Sequence, residues 1–86
     1  MALQILEKNG TFEISGDLDT ETSHSFIVHF EHLMTTSKEI TINIDKIKEI
    51  DASGIQALKT LFTISLKNNI ILHIIGRGYK DIYADT

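Results

Sequence analysis

The chain has 86 residues, of which 42% are hydrophobic, and this length predicts a single domain, residues 1–86, with one core. Its formal net charge of −4 argues against a nucleic-acid ligand, and the absence of cysteine excludes disulfides and thiolate metal sites. Because no segment has the pattern of a signal peptide or the length of a membrane span, we expect a cytoplasmic protein without membrane insertion.

The first predicted element is a β-hairpin that turns at Asn9-Gly10. This dipeptide readily adopts positive φ at both positions, as a type I′ turn requires. A hairpin closed there pairs Lys8 with Thr11 and Ile5 with Ile14. One of its faces is more apolar than the other, so we expect the hairpin to bury that face.

A first helix is predicted after Gly16-Asp17-Leu18-Asp19, a segment that breaks the strand alternation. Asp19 or Thr20 suits its N-cap, because their side-chain oxygens can accept hydrogen bonds from free N–H groups of the first turn. Apolar residues then recur at three- and four-residue spacing and predict one buried stripe. The stripe consists of Phe26, Ile27, Phe30, Leu33 and Met34.

The second half of the chain predicts two more strands and a second long helix. Alternating isoleucines indicate a strand from about Glu39 to Ile44, and a polar connection over residues 45–50 follows it. A second apolar stripe predicts a helix from about Ser53 to Lys67. Residues 70–75 form a fourth, apolar strand, and a short last helix carries Tyr79, Ile82 and Tyr83.

These elements give the order ββαβαβ plus a short C-terminal helix. Crossovers between parallel strands are right-handed, so if the strands add sequentially in one direction, both long helices are predicted to lie on one face of the sheet. The predicted fold class is α/β, with a single mixed four-stranded sheet whose opposite face is poorly covered.

The most informative segment is Asp51-Ala52-Ser53-Gly54-Ile55, at the predicted turn from the third strand into the second helix. The N–H groups at a helix N-terminus lack intrahelical partners, and the helix dipole favours negative charge there. Ser53 is therefore either a helix cap or a hydroxyl offered to another protein for phosphorylation. Gly54 weakens a helix, which indicates either close approach by a partner or packing against the neighbouring strand.

The segments Gly16-Asp17-Leu18-Asp19 and Asp51–Ile55, in this strand and helix context, resemble the STAS domain family. That family includes the bacterial anti-anti-sigma factors, also called anti-sigma factor antagonists, and the resemblance covers nearly the whole chain. By position, Ser53 matches the serine that family members present to a serine kinase, and Asp19 matches an acidic residue of a bordering loop. The resemblance implies a partner-binding surface made of Asp19, Asp51, Ala52, Ser53, Gly54 and Ile55.

Two departures from the family pattern affect this interpretation. Ala52 replaces the serine often found beside the acceptor, so modification within this turn is confined to Ser53. The last helix is expected to be shorter than in most members, which affects any binding surface that it would supply.

The resemblance implies a regulatory binding module and not an enzyme. Unphosphorylated protein would bind an anti-sigma factor that is also a serine kinase, and a sigma factor would be released. Phosphorylation of Ser53 would end this association, and a serine phosphatase would restore it. The alternative is an accessory subunit of a membrane transporter complex that docks on the ATPase subunit. The sequence leaves the oligomeric state open.

No other cluster predicts catalytic residues, a cofactor or a metal site. Asp17 and Asp19 flank a leucine, but a site for a hard metal ion needs more oxygen ligands. His24, His29 and His32 lie in the first predicted helix without a carboxylate at suitable spacing. We interpret these histidines as part of a solvated helix face and not as zinc ligands.

Overall fold

The computed structural model describes residues 2–76, which form six elements in the predicted order. These are β1 (Gln4–Lys8), β2 (Thr11–Leu18), α1 (Ser23–Leu33), β3 (Glu39–Ile50), α2 (Ala52–Lys67) and β4 (Ile71–Ile75). The strands form one sheet in the order β1-β2-β3-β4, with β1 antiparallel to β2 and the other two pairs parallel. The predicted mixed four-stranded α/β fold is confirmed, whereas the predicted last helix lies outside the described residues.

The turn between β1 and β2 has the geometry that its sequence predicts. Asn9 has a φ of 52° and Gly10 a φ of 84°, so both central positions are positive, as in a type I′ turn. The register pairs Lys8 with Thr11 and Ile5 with Ile14. The turn residues therefore set which hairpin face meets the core.

Both long helices pack on the same face of the sheet and share one core with it. Phe26 and Phe30 of α1 are fully buried, and so are Leu58 and Leu61 of α2. The inward-facing strand residues of this core are Ile14, Leu18, Ile40, Ile42, Ile44 and Ile74. The two phenylalanine rings meet edge to face, with their centroids 5.1 Å apart. The predicted helical stripes are thus the faces that pack.

β2 and β3 are longer than predicted, which corrects two assignments. Residues 16–18 continue β2, and residues 45–50, predicted as a polar connection, continue β3. Two register shifts interrupt the pairing of these strands, and each places an additional residue in β3. The residues of β3 that pack towards the core therefore change from a spacing of two to a spacing of three, at Ile44, Ile47 and Ile50. A strand predicted from sequence has apolar residues at every second position. A spacing of three does not match this pattern, so these residues resemble a loop in the sequence.

The extended pairing brings the C-terminal ends of β2 and β3 side by side. Leu18, the last residue of β2, pairs with Ile50, the last residue of β3. Because the strands are parallel, both end at the same edge of the sheet. β2 continues there into the loop 19–22, and β3 continues into α2. The two segments that the sequence analysis singles out are consequently neighbours.

Within residues 2–76, the sheet face opposite the helices carries mainly polar and charged side chains. Glu13 lies 3.8 Å from the Lys8 ammonium and 3.5 Å from the Lys46 ammonium. His73 Nε2 lies 2.8 Å from Glu39 Oε2 on this face. Three apolar side chains on this side are also exposed: Leu6, Ile71 and Ile75.

Candidate functional site

The candidate site is the junction between the loop 19–22 and the first turn of α2. The N–H of Asp51 donates a hydrogen bond to the carbonyl oxygen of Leu18, with an N–O distance of 3.3 Å. This bond fixes the start of α2 beside the start of the loop 19–22. The site is thus built on the ends of two paired strands, which is a rigid support for its side chains.

Asp51 caps α2. Its backbone is extended, with a φ of −109°, and its Oδ1 accepts a hydrogen bond from the N–H of Gly54 at 2.9 Å. The alternative that Ser53 is the cap is therefore wrong, because the helix begins at Ala52 and Ser53 lies inside its first turn. The Ser53 hydroxyl is not used for capping and remains available for another contact.

The second carboxylate oxygen of Asp51 holds the loop 19–22. Asp51 Oδ2 accepts hydrogen bonds from the N–H of Thr20 at 3.3 Å and from the Thr20 hydroxyl at 3.4 Å. The Thr20 hydroxyl oxygen also lies 3.0 Å from Ser53 Oγ, and either atom can be the donor. Asp51, Thr20 and Ser53 therefore form a short chain of polar contacts at the protein surface.

The carboxyl of Asp51 is stabilised in its charged form. Its pKa lies below the usual value of 3.8, chiefly because the N–H of Gly54 donates to it. Partial loss of solvent opposes this shift, whereas the N–H groups of Thr20 and Ser53 and the Thr20 hydroxyl reinforce it. Asp51 is consequently ionised at neutral pH and places a negative charge beside Ser53.

Asp19 does not occupy the N-cap position of α1. Its Oδ1 accepts hydrogen bonds from the N–H groups of Glu21 at 3.0 Å and Thr22 at 3.1 Å, so it caps the turn before α1. The helix itself begins at Ser23 with Thr22 as N-cap, so neither predicted N-cap residue occupies that position. Within this loop it is Thr20, the next residue, whose side chain contacts Ser53.

Gly54 is a packing residue. A Cβ atom at this position would overlap the carbonyl oxygen of Leu18 and would lie 2.7 Å from Ile50 Cγ1. Glycine therefore allows α2 to approach the ends of β2 and β3 closely. Of the two explanations for this glycine, packing against the neighbouring strand is the one that the structure supports.

Residues 1–79 match the STAS domain family. The chain belongs to the STAS domain family. The resemblance that the two sequence segments indicate is thereby confirmed. A comparison with curated protein sequences finds no match for this STAS domain.

Two solved structures share the fold of this STAS domain. The first is an anti-sigma factor antagonist from Mycobacterium paratuberculosis, with 14% identity and a TM-score of 0.75, over 98% of this chain and 76% of that one. The second is the anti-sigma factor antagonist SpoIIAA in its unphosphorylated form, with 13% identity and a TM-score of 0.71. That match covers 99% of this chain and 84% of SpoIIAA.

The fold of this STAS domain brings most of the sequence-predicted site residues together, with different exposure. Asp51 and Ala52 are exposed, and Ser53 and Ile55 are half-buried. Gly54 is buried against the strands and contributes no accessible side chain. Thr20 is the residue that the sequence analysis missed as a contact of Ser53. The sequence indicated Thr20 only as a possible N-cap of the first helix, which does not predict a contact with Ser53.

Within residues 2–76, no group of three or more histidine, cysteine or acidic side chains is arranged to hold a metal ion. The imidazole of His29 instead packs edge to face against Phe30, with ring centroids 5.1 Å apart. In the same part of the chain, no helix is long and apolar enough to cross a membrane.

Proposed function

We propose that this STAS domain is an anti-sigma factor antagonist whose binding is switched off by phosphorylation of Ser53. Its partner would be an anti-sigma factor with serine kinase activity, and a serine phosphatase would reverse the modification. Membership of the STAS family and the shared fold with two anti-sigma factor antagonists support this proposal. The role requires no catalytic residue and no cofactor in this chain.

The observation that carries the proposal is the placement of Ser53. Its hydroxyl lies in the first turn of α2 at the surface, and Asp51 performs the capping that would otherwise occupy a serine. A serine in this position can be phosphorylated without loss of the helix cap. The fold can therefore tolerate both the free and the modified side chain.

Electrostatics explain how the modification would end binding. A phosphoserine carries about −1.5 to −2 charges at neutral pH. The helix N-terminus tolerates this charge within the domain, because its N–H groups and dipole favour anions. The same charge would add to that of the ionised Asp51 at a surface that would otherwise present a neutral hydroxyl. An interface complementary to the hydroxyl would lose affinity through desolvation and repulsion.

The proposal is tested by measuring modification and binding together. Purified domain is incubated with extract of the source organism and Mg-ATP, and phosphate is located by mass spectrometry. Immobilised wild type, Ser53→Ala and Ser53→Asp are then compared for capture of a protein that can itself phosphorylate Ser53. Wild type and the alanine variant should capture this kinase, and the aspartate variant should capture less. Ser37→Ala, a change at a half-buried serine after α1, serves as control.

Two results would contradict the proposal. One is the absence of phosphate on Ser53 in wild type under conditions where the extract phosphorylates other proteins. The other is equal capture of the same partner by all three forms. Both results together would instead favour the accessory subunit of a transporter, which needs no phosphorylation cycle.

A further inference from the structure

Thr20 connects two parts of the chain that are separated by more than thirty residues in the sequence. Its N–H and hydroxyl both donate to Asp51 Oδ2, and its hydroxyl oxygen lies 3.0 Å from Ser53 Oγ. Thr20 is exposed, so these contacts are not a by-product of burial in the core. Its contacts are concentrated on the two residues at the centre of the candidate site.

The hydrogen bond from the Thr20 hydroxyl to Asp51 favours one direction for the whole chain of contacts. Each hydroxyl has one proton to donate, and an ionised carboxylate can only accept. When Thr20 donates its proton to Asp51, its oxygen is available only as an acceptor towards Ser53. Ser53 must then donate its own proton to Thr20, and the chain runs from Ser53 to Thr20 to Asp51. The opposite direction would leave the Thr20 oxygen facing a carboxylate oxygen at 3.4 Å without a proton between them.

We infer that Thr20 is a positioning residue for the phosphorylation of Ser53. It fixes the rotamer of Ser53 with the hydroxyl proton directed at the Thr20 oxygen and the oxygen lone pairs directed away from it. A phosphoryl donor that approaches from the side away from Thr20 then meets the lone pairs of the nucleophilic oxygen. This inference rests on the proposed function. Phosphoryl transfer requires the attacking oxygen to be aligned with the phosphorus, and here this chain, as the substrate of the kinase, supplies part of that alignment itself.

The step balances through the same contacts. Ser53 Oγ forms a bond to the γ-phosphorus of a nucleoside triphosphate held by the kinase, and the bond from that phosphorus to the bridging oxygen breaks. The nucleoside diphosphate leaves with the electron pair of this bond. The Ser53 proton passes to the Thr20 oxygen, the Thr20 proton passes to Asp51, and the exposed carboxyl releases it to water. A weak base suffices, because in a loose transition state the hydroxyl loses its proton late.

The first test measures phosphorylation rates with the kinase that wild type captures. Thr20→Val replaces the hydroxyl with a methyl group of similar size, and Thr20→Ser restores the hydroxyl. Thr63→Val is the matched control, because Thr63 is exposed on α2 and its hydroxyl bonds to the carbonyl of Lys59 in the same helix. We expect kcat to fall roughly tenfold in Thr20→Val, as for loss of one hydrogen bond, with little change in KM. Thr20→Ser and Thr63→Val should behave like wild type.

The second test needs no kinase and reports on the side chain directly. Three-bond NMR couplings of Ser53 should indicate one χ1 rotamer in wild type and Thr20→Ser, but averaging in Thr20→Val. An effect that came only from a loosened fold would also change the couplings of residues far from the site, such as Thr63. Thr20→Ala provides a second variant without the hydroxyl, in case valine disturbs the loop.

The possible outcomes separate this inference from the proposed function. If wild type is phosphorylated on Ser53 and Thr20→Val is phosphorylated at the same rate, Thr20 does not position Ser53, although the proposed function stands. An unchanged Ser53 rotamer in Thr20→Val and Thr20→Ala would also overturn the inference. If wild type receives no phosphate at all, the proposed function fails and the inference fails with it.

Discussion

The two turns that lead from strand to helix begin at paired residues, yet they are built differently. After Ile50, the chain enters α2 at once, and Asp51 caps the helix from its first residue. After Leu18, the chain makes an additional turn that Asp19 caps, and α1 starts at Ser23 without a side-chain cap of its own. The direct turn presents Ser53, whereas the longer turn supplies Thr20, which holds it.

This difference shows that two segments at the same edge of the sheet can be held with different strength: the start of α2 is held firmly, and the loop 19–22 is held by fewer contacts. α2 is fixed by its cap, by the Asp51–Leu18 backbone bond and by the close packing at Gly54. The loop 19–22 reaches α2 mainly through the contacts of Thr20. We expect the fixed part to dominate stability and the contact between the two parts to dominate function.

The largest expected effects come from the core that both helices share. Phe30→Ala in α1 should reduce the free energy of unfolding by about 3–5 kcal/mol and Leu61→Ala in α2 by about 2–5 kcal/mol. Both side chains are fully buried, so either change removes apolar contacts and leaves a cavity. Urea denaturation measures both values. If only one variant is destabilised, the two helices do not share one core. The comparison of their N-termini would then no longer be valid, because it assumes a common core.

Gly54→Ala should have the next largest effect. The new methyl group meets a backbone carbonyl that cannot rotate away, and overpacking of this kind costs about 1–3 kcal/mol. Ser25→Ala is the matched control, because Ser25 occupies the third position of α1 and is exposed. Thermal unfolding of the two variants tests whether the α2 turn is the more tightly packed one. Equal unfolding temperatures would contradict that contrast.

A smaller effect is expected from the charge of Asp51 and appears on the acid side of the stability profile. Because folding lowers the pKa of this carboxyl, its contribution is complete above the unfolded value and is lost as the pH falls through the folded value. The window therefore lies below the ordinary value of 3.8. Asp51→Asn should flatten the loss of stability in this window. Ser25→Ala, which removes an exposed hydroxyl from α1 and no charge, is the control variant.

The smallest expected effect is that of Ser53→Ala on stability. Since Asp51 supplies the cap, Ser53→Ala removes only the surface hydrogen bond to Thr20, and we expect a loss of about 0.5 kcal/mol, the low end for one hydrogen bond. A loss of about 1 kcal/mol, typical of a missing N-cap, would indicate that Ser53 helps to hold the helix end. Chemical denaturation of the same variant used in the binding experiment provides this measurement.

The sequence predicts those parts of the molecule that depend on a regular spacing of apolar residues or on a short local motif. The apolar stripe through Phe30 and the turn at Asn9-Gly10 each depend on a few neighbouring residues, and both appear where predicted. Residues 45–50 were misassigned because register shifts replace the strand period with a spacing of three. Right-handed crossovers place both helices on one face when the strands add in sequence, but no such rule predicts the bulges that extend the strands.

The site was predicted only in part, for a related reason. The family pattern drew attention to Ser53 and Asp51, but whether a helix begins one residue earlier decides which of them is the cap. The contact of Thr20 with Ser53 joins two loops and has no signature in either loop alone. Such a contact depends on the pairing of Leu18 with Ile50, which itself depends on the bulges.

The paired register shifts also have a consequence for insertions and deletions. From Glu13 to Leu18, β2 advances five positions, while β3 advances seven from Asn43 to Ile50. Each shift alone would turn every later side chain of β3 to the other face, and the second shift reverses the first. Loss of a single residue between positions 44 and 50 should therefore invert Ile50 and misplace the start of α2. Loss of two residues, one at each shift, should preserve both, so changes in length along this strand are tolerated in pairs.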